Sequence, residues 1–421
     1  DGRYITIAGM HTIHADDRNK SKPASHNIGM YRAQLLGKTT LAMHWHIHHD
    51  GAAHWRSWKK LGQPMPIAIC FGGEAVLPYA ATSPLPPGVS ELLMAGFLQG
   101  RGIELVRATT VPLWVPAKSE IVIEGFVSTT CGHVGWEPGD DPLGEGAVFE
   151  GPFGDHTGFY SMPDRYPIVE VTALTHRNNA VFPATVVGPP PQEDYYLGKA
   201  TERIMLPLLK VLIPDIVDYH LPRFGAFHNC LFVQINPEYD EHARKVMHAI
   251  WGAGQLAWTK VIVVVNDSVD VHDEHAVYEA VGGIDISRDL EQSKGPLDIL
   301  DHAAPRLGAG GKLGIDATAA TGTLNTIEIL SITKQKGKEG AKALKEADKT
   351  LPKSVKIMIA VDDSIDQSNL GEVFFNFCAC FDPSRDMHYF KHRVGFDGTT
   401  KMKGDMRNGQ AVRPWPPPLV L

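Results

Sequence analysis

Residues Val186–Asp194 read VVGPPPQED. Three consecutive prolines behind a glycine fix φ and remove backbone donors, so the chain must run extended here and change element. On the N-terminal side the text is strand-like. YITI, YRAQLL, TLAMHWHIH, PIAICFG, IELVRA, EIVIEGFV and YPIVEVTALTHR are short runs separated by Gly, Pro and Asn/Asp clusters, the pattern of a β-barrel or sandwich. SELLMAGFLQG predicts one helix in this half, with Ser90 as its N-cap. On the C-terminal side TERIMLPLLKVL reads as helix. Beyond Phe224, LFVQI and KVIVVV flank DEHARKVMHAIWGAG, which is apolar at Ala243, Val246, Met247, Ile250 and Trp251, a strand–helix–strand order that predicts an α/β layer. The chain is therefore read as α+β, with a β-rich domain over 1–190, a helical linker over 191–224 and an α/β domain over 225–421.

The last of these carries an internal echo. VIVVVNDSVD (Val261–Asp270) recurs as IMIAVDDSID (Ile357–Asp366), DISRD at Asp285 as DPSRD at Asp382, and LGIDAT at Leu313 as VGFDGT at Val394. Unequal spacings argue for a duplicated segment, about 261–318 and 356–400, and against a solenoid. Between the copies, KQKGKEGAKALKEADK (Lys334–Lys349) reads as a solvated surface helix, with an anion-binding patch as the less favoured reading.

Composition bounds the partners. The 421 residues are 43% hydrophobic and 21% charged, enough for two or three domains with sizeable cores, and the net charge of -8 disfavours nucleic acid or an anionic membrane as partner. Cys70, Cys131, Cys230, Cys378 and Cys380 are an odd, scattered set that predicts buried thiols in a reducing compartment. No apolar run approaches the ~20 residues of a membrane span and no signal-peptide pattern is present, so a cytoplasmic location is expected. The chain opens on DGRYITIAGM without a methionine, and an earlier start of the polypeptide is expected.

Chemistry concentrates in the β-rich half. FEGPFGDHTGFY (Phe149–Tyr160) sets Glu150 and Asp155 in a Gly/Pro turn flanked by aromatic residues. SHNIGMYR supplies Asn27 as an oxygen donor and Arg32 as a permanent cation able to grip a carboxylate bidentately. In MHWHIHHDG, His44, His46 and His48 alternate and would share one strand face; a zinc site, stacking on a flat cofactor and ordinary core hydrogen bonding all remain open. Glu91 sits where acids suit a helix N-terminus. No dinucleotide, P-loop, zincin, nucleophile-elbow or C-x-x-C motif is present. The residues alone point only to an acid/base site made of an arginine, two acids and several histidines.

Together NIGMYR, MHWHIHHDGAAHW, SPLPPGVSELLMAGFLQG, EIVIEGFV, EGPFGDHTGFY, PATVVGPPPQEDYYLGKATER, HARKVMHAIWG and KLGIDAT resemble, in order over nearly the whole chain, the UbiD family of prenylated-FMN-dependent (de)carboxylases, of the 3-polyprenyl-4-hydroxybenzoate decarboxylase kind. The resemblance implies a split β-barrel holding prenylated FMN, α/β domains beside it, and absence of the family's usual N-terminal domain. It implies reversible decarboxylation of an aromatic (4-hydroxybenzoate-type) or α,β-unsaturated acid, as in ubiquinone or menaquinone biosynthesis. Carboxylation in the reverse direction and a non-catalytic scaffolding subunit are the alternatives. The catalytic residues it implies are Arg32, holding the substrate carboxylate, Asp155, returning a proton to carbon, and Glu150, tuning Arg32 and relaying the proton. A carboxyl in an apolar pocket is expected to have a raised pKa. Asn27, His48 and Glu91 match the ligands of a divalent ion, Mn2+ or Mg2+, at the flavin phosphate, with K+ as a further ion and His49 competing with His48. Met30, Tyr31, Arg32, His44, Trp45, His46 and His49 match the flavin lining. The lysine of the family's G-x-D-A-T-x-K region is Ala320 in the first copy and Lys401 in the second, which leaves open the copy that faces the cofactor. A homodimer or higher homo-oligomer, CO2 and a small acid as reactants, and a flavin prenyltransferase as supplier complete the expectation.

Overall fold

In the first half, each short apolar run finds a partner strand. A computed structural model describes residues 2–46, 49–86, 88–131, 143–161, 163–226, 229–294, 311–319 and 321–405. Two units emerge from its contacts: Asp1–Phe153 with 162–186, and Gly154–Ser161 with 187–421.

The first unit contains β1 (Arg3–Ile5), β2 (Gly9–Thr12), β3 (Asn27–Met30), β4 (Arg32–Leu35), β5 (Thr40–His44), β6 (Met65–Phe71), β7 (Leu105–Arg107), β8 (Trp114–Pro116), β9 (Ile121–Val127), β10 (Ala147–Glu150) and β11 (Asp164–His176). Its helices are α1 (Asp50–Leu61), α2 (Val76–Thr82) and α3 (Glu91–Gln99). Nine strands make one antiparallel sheet in the order β1-β4-β5-β11-β9-β6-β2-β3, with β10 also on β11. β3 ends that path and β4 stands second from its other end, yet only Tyr31 separates them in the chain. The sheet must therefore curl until its two edges meet at Met30–Tyr31–Arg32, since one trans-linked residue spans only a few ångströms. Met10, Met43, Trp45, Met65, Ile67 and Ile69 fill the core, all at most 1% exposed. Burying side chains of this size contributes roughly 1.5–3 kcal/mol each.

The strand expected through His48 stops at His44, and α1 begins at Asp50. The helix prevails because Ala52, Trp55 and Trp58 form a buried stripe, with Trp55 Nε1 donating to Ser128 O and Trp58 Nε1 to Ile13 O, both at 2.8 Å.

The second unit contains β12 (Ile216–His220), β13 (Cys230–Ile235), β14 (Val261–Val265), β15 (Leu290–Lys294), β16 (Gly311–Asp316), β17 (Ile327–Ile332), β18 (Ile357–Asp362), β19 (Met387–Tyr389) and β20 (Val394–Asp397). Its helices are α4 (Glu193–Ile204), α5 (Leu206–Leu212), α6 (His242–Trp251), α7 (Glu274–Gly282), α8 (Glu339–Thr350), α9 (Leu370–Cys380) and α10 (Pro383–Asp386). One sheet runs β12-β13-β14-β16-β15 and the other β17-β18-β20-β19. Each has three parallel strands with an antiparallel strand at one edge, β15 or β19, and the first sheet carries a second antiparallel strand, β12, at its other edge. VIVVV is buried at every position, as a central parallel strand covered on both faces requires. The stretch 191–224 differs from the helical linker expected: it supplies α4 and α5 but ends in β12, an edge strand antiparallel to β13.

The two sheets share a core and exchange caps. Lys260 Nζ, just before β14, donates to Cys378 O (2.9 Å) and Phe381 O (2.7 Å) at the end of α9. Lys356 Nζ, just before β18, donates to Gly283 O (3.1 Å) and Ile284 O (2.9 Å) at the end of α7. Each satisfies helix C-terminal carbonyls that would otherwise lack donors. Lys334, expected on a solvated surface, is buried instead and pairs with Asp405 at 2.7 Å. All five cysteines are buried free thiols, and no described helix is long and apolar enough to cross a membrane.

Candidate active site

Arg32 opens β4 and His44 closes β5, and the antiparallel register sets them directly opposite one another. Cross-strand partners project from the same face with their Cβ atoms about 5 Å apart. Glu150, the last residue of β10, reaches that face and is wholly buried. Arg32 Nε donates to Glu150 Oε1 at 2.8 Å and Nη2 to Oε2 at 3.0 Å, a bidentate fork that fixes the guanidinium plane. His44 Nδ1 lies 2.9 Å from Glu150 Oε2; an ionised carboxylate only accepts, so that nitrogen carries the proton. Phe153 lies under the guanidinium, 4.5 Å from ring centroid to Arg32 Cζ, and Tyr4 packs against Phe153 at 4.6 Å. Tyr166 lies 4.2 Å from the His44 ring.

Burial drives the Glu150 carboxyl upward, but the charges of His44 and Arg32 and their hydrogen bonds outweigh it and hold the group down at about 2. The raised carboxyl expected of an apolar pocket is thus reversed here: two cationic donors at hydrogen-bond distance exceed the cost of desolvation. At neutral pH Glu150 is an anion. The Tyr4 hydroxyl moves the other way, pushed up by burial and by the Glu150 charge.

A second cluster forms where α3 meets β3. Ser90 Oγ accepts from Leu92 N at 3.3 Å, capping α3, and donates to His26 O at 2.6 Å. Glu91 Oε2 then accepts from Ile28 N at 2.7 Å, which brings its buried carboxylate beside Asn27, itself 7% exposed. Burial pushes Glu91 up to about 7. A buried carboxylate and a buried carboxamide, on elements joined by the Ile28 N–H, are donor types that suit a hard divalent ion, which would favour the charged form of Glu91. His48, the third ligand expected, lies outside the described residues, as does Ala320.

Between the clusters, Tyr31 is half-buried, and its hydroxyl accepts from Gly51 N at 3.0 Å. Its ring lies on bare backbone: a Cβ at Gly29 would come within 2.1 Å of it. The His49 ring stacks on Tyr31 at 5.1 Å and meets His46 edge-on at 5.2 Å, while Met30 is half-buried beside them in sequence. Trp45 is wholly buried, yet its Nε1 has no hydrogen-bond partner among the described residues. An orphaned indole donor, a carboxamide–carboxylate pair and a band of aromatic rings fit a flat, polar-edged cofactor with a metal-bridged phosphate. Of the three histidines read as a possible zinc site, His44 holds Glu150 through Nδ1, the His46 ring meets it edge-on at 5.4 Å, and His48 lies outside the described residues. Among the described residues the group with metal-ligand spacing is Glu202, His220 and His272. Lys199 Nζ already occupies it, 2.7 Å from Glu202 Oε1 and 2.9 Å from His220 Nδ1.

Asp155 belongs to the second unit. It sits in a tight turn in which Gly158, at φ 80°, donates its N–H to Asp155 O at 3.1 Å. Its Oδ1 lies 2.8 Å from His156 Nδ1 and accepts from His156 N at 2.8 Å. Lys401 is 2% exposed; its Nζ donates to Asp397 O at 2.7 Å. The sequence reading passed over Tyr4 and His156 and took His44 as a possible zinc ligand, a core hydrogen-bonding group or flavin lining, without pairing it with Glu150. The Gly37–Lys38 turn could have revealed the last, because a hairpin centred there pairs position 32 with position 44.

A curled antiparallel sheet carrying a buried Arg–Glu–His cluster, followed by two parallel α/β sheets, defines the class of protein. The model of the 3-octaprenyl-4-hydroxybenzoate carboxy-lyase Rift-related domain matches residues 1–190, and that of the C-terminal domain of the same carboxy-lyase matches 195–317 and 318–409. The chain belongs to the UbiD family. It is 47% identical over 318 residues to an uncharacterized protein of Aquifex aeolicus, covering 75% of this chain and 61% of that one. It is 44% identical over 320 residues to an uncharacterized protein of Archaeoglobus fulgidus, covering 75% and 62%. The chain thus spans about three fifths of the length of these relatives. Among solved structures it is similar to the UbiD-class enzyme HmfF from Pelotomaculum thermopropionicum in complex with FMN, with TM-score 0.60, 27% identity and coverage of 75% and 66%. Its fold is also that of Sedimentibacter hydroxybenzoicus vanillic acid decarboxylase in closed form, with TM-score 0.67, 24% identity and coverage of 83% and 70%.

Proposed function

We propose that this chain catalyses the reversible decarboxylation of an aromatic or α,β-unsaturated acid with prenylated FMN as cofactor, working from a split β-barrel whose split lies at Met30–Tyr31–Arg32. The observation that carries the reading is the Arg32 guanidinium held in a buried plane by anionic Glu150 and proton-bearing His44. HmfF, whose fold this chain shares, was solved with FMN and, in an evolved dimeric form, with prFMN.

Prenylated FMN, when bound, supplies the electron sink for the pair left on carbon as the C–C bond to the carboxyl group breaks. Arg32 orients the substrate carboxylate, and Glu150 keeps the guanidinium from turning. Phe153 and Tyr4 keep water from one side of it. CO2 leaves without a proton, so a donor must complete the product. We assign that role to Asp155, with His156 restoring its proton. Asn27 and Glu91, with His48, would hold Mn2+ or Mg2+ at the flavin phosphate. The shared strand order of the two C-terminal sheets supports reading them as duplicated copies. Carboxylation uses the same residues in reverse.

The test is reconstitution with prenylated FMN and deuterium exchange at the ring carbon of candidate aromatic acids. Asp155→Asn is expected to abolish exchange and decarboxylation while retaining flavin absorbance; unchanged turnover would remove Asp155 from the donor role. A chain that takes up no flavin when offered it would favour a scaffolding subunit instead.

A further inference from the structure

The two sheets of the second unit carry one pair of aspartates in one hydrogen-bonded frame. In the second sheet, Asp397 ends β20 and its Oδ1 accepts from Thr399 N at 3.1 Å. Asp386, just before β19, accepts from Asp382 N at 2.8 Å and pairs with Arg385 Nε at 2.8 Å. In the first sheet, Asp316 ends β16 and its Oδ1 accepts from Thr318 N at 3.0 Å. Asp289, just before β15, accepts from Asp285 N at 2.8 Å and pairs with Arg288 Nε at 2.6 Å. Asp316 N donates to Asp289 O at 2.8 Å, so the two acids are cross-strand neighbours.

What the frames hold differs. In the second, the pair binds a cation: Lys401 Nζ lies 3.3 Å from both Asp386 Oδ2 and Asp397 Oδ1, and 2.7 Å from Asp397 O. These three acceptors match the three protons of an ammonium group. The residue four places beyond Asp316 in sequence is Ala320. In the first frame Asp289 and Asp316 line a cavity of about 510 Å³ at the carboxyl ends of the strands, the place where open α/β sheets take ligands. Six carboxylates line it against two guanidinium groups, and both arginines are engaged, Arg244 with Glu291 at 2.8 Å and Arg288 with Asp289.

We propose that this cavity binds a small alkyl diamine, one primary ammonium seated between Asp289 and Asp316 as Lys401 Nζ is between Asp386 and Asp397. The counterpart distances of 2.7–3.3 Å suit N–H donation and exceed the roughly 2.0–2.6 Å of a hard divalent ion on oxygen. The remaining acids receive the second ammonium.

The experiment is calorimetric titration of the full chain with cadaverine, a five-carbon diamine, at low ionic strength, with MgCl2 in a parallel titration. One saturable site per chain is expected. Asp289→Asn or Asp316→Asn should weaken it by about ten-fold or more. Ala319→Lys, at a residue that lines the cavity, supplies an ammonium from the chain itself and should abolish it with the circular dichroism unchanged, and this variant decides the matter if the aspartate variants fail to fold. No saturable heat with cadaverine, undiminished binding in Ala319→Lys, or saturation by Mg2+ while cadaverine is silent would each overturn the proposal.

Discussion

Replacing Glu150 by glutamine tests whether the Arg32–Glu150–His44 cluster is held together by charge. The substitution keeps the shape and one acceptor but removes the anion that grips a guanidinium whose side chain is only 10% exposed. The folded-state carboxyl sits at about 2 against an ordinary value of 4.5, a drop worth about 3 kcal/mol in favour of the folded anion. Breaking a buried pair from one side costs about 3–5 kcal/mol, which agrees in size. The folded state favours the charged form, so this stability is complete above the unfolded value near 4.5 and is lost as pH falls toward about 2. Urea unfolding can be followed by tryptophan emission, since Trp45, Trp55 and Trp58 all lie in the first unit's core. Asp17 and Glu124, also held below the ordinary range, lose stability with acid in both proteins. The quantity to read is therefore wild type minus variant: a gap of about 3 kcal/mol at pH 7 that closes as the buffer is taken below pH 4. Equal stability at neutral pH, or a gap indifferent to acid, would refute the electrostatic account of the cluster. If the chain decarboxylates as proposed, the same variant, with the Glu150 grip on Arg32 weakened, should turn over about a hundred-fold more slowly even where it remains folded.

Asn27→Ala should lower manganese and flavin content together, read by elemental analysis and absorbance of the purified protein. Full occupancy in that variant would undo the metal assignment. Lys260→Met removes the donor from Cys378 O and Phe381 O and leaves two buried carbonyls unpaired, so the second unit should lose about 1–3 kcal/mol. Calorimetry should show a lower melting temperature, and a larger fall than in Lys356→Met because Lys356 is half-buried where Lys260 is 3% exposed. An unchanged melt in Lys260→Met would mean that solvent already satisfies those carbonyls.

Continuous apolar runs such as VIVVV could be read as central strands because a strand covered on both faces needs apolar side chains at every position. Helix α1 was hidden by the alternating histidines, which suggest period two up to residue 48, although Ala52, Trp55 and Trp58 already have helical spacing. β12 was hidden because five residues at an edge, buried at Ile216, Tyr219 and His220 but not between, carry too little periodicity to stand out from the helices before them. The site was less legible than the fold, since 118 residues separate Arg32 from Glu150 and only resemblance to a family joined them. Least legible was the direction of the Glu150 shift. Desolvation and neighbouring charge act oppositely on a buried carboxyl, and the sequence states the first without revealing the second. The direction matters for the proposed mechanism: a carboxyl held at about 2 is ionised near neutrality, which favours Glu150 as an anion that aims Arg32 over the proton relay that the family resemblance implies. If this chain decarboxylates, the proton that replaces CO2 has to come from an acid outside the Arg–Glu–His cluster. Of the two acids in FEGPFGDHTGFY that leaves Asp155, which we propose as the donor and which the exchange assay on Asp155→Asn decides.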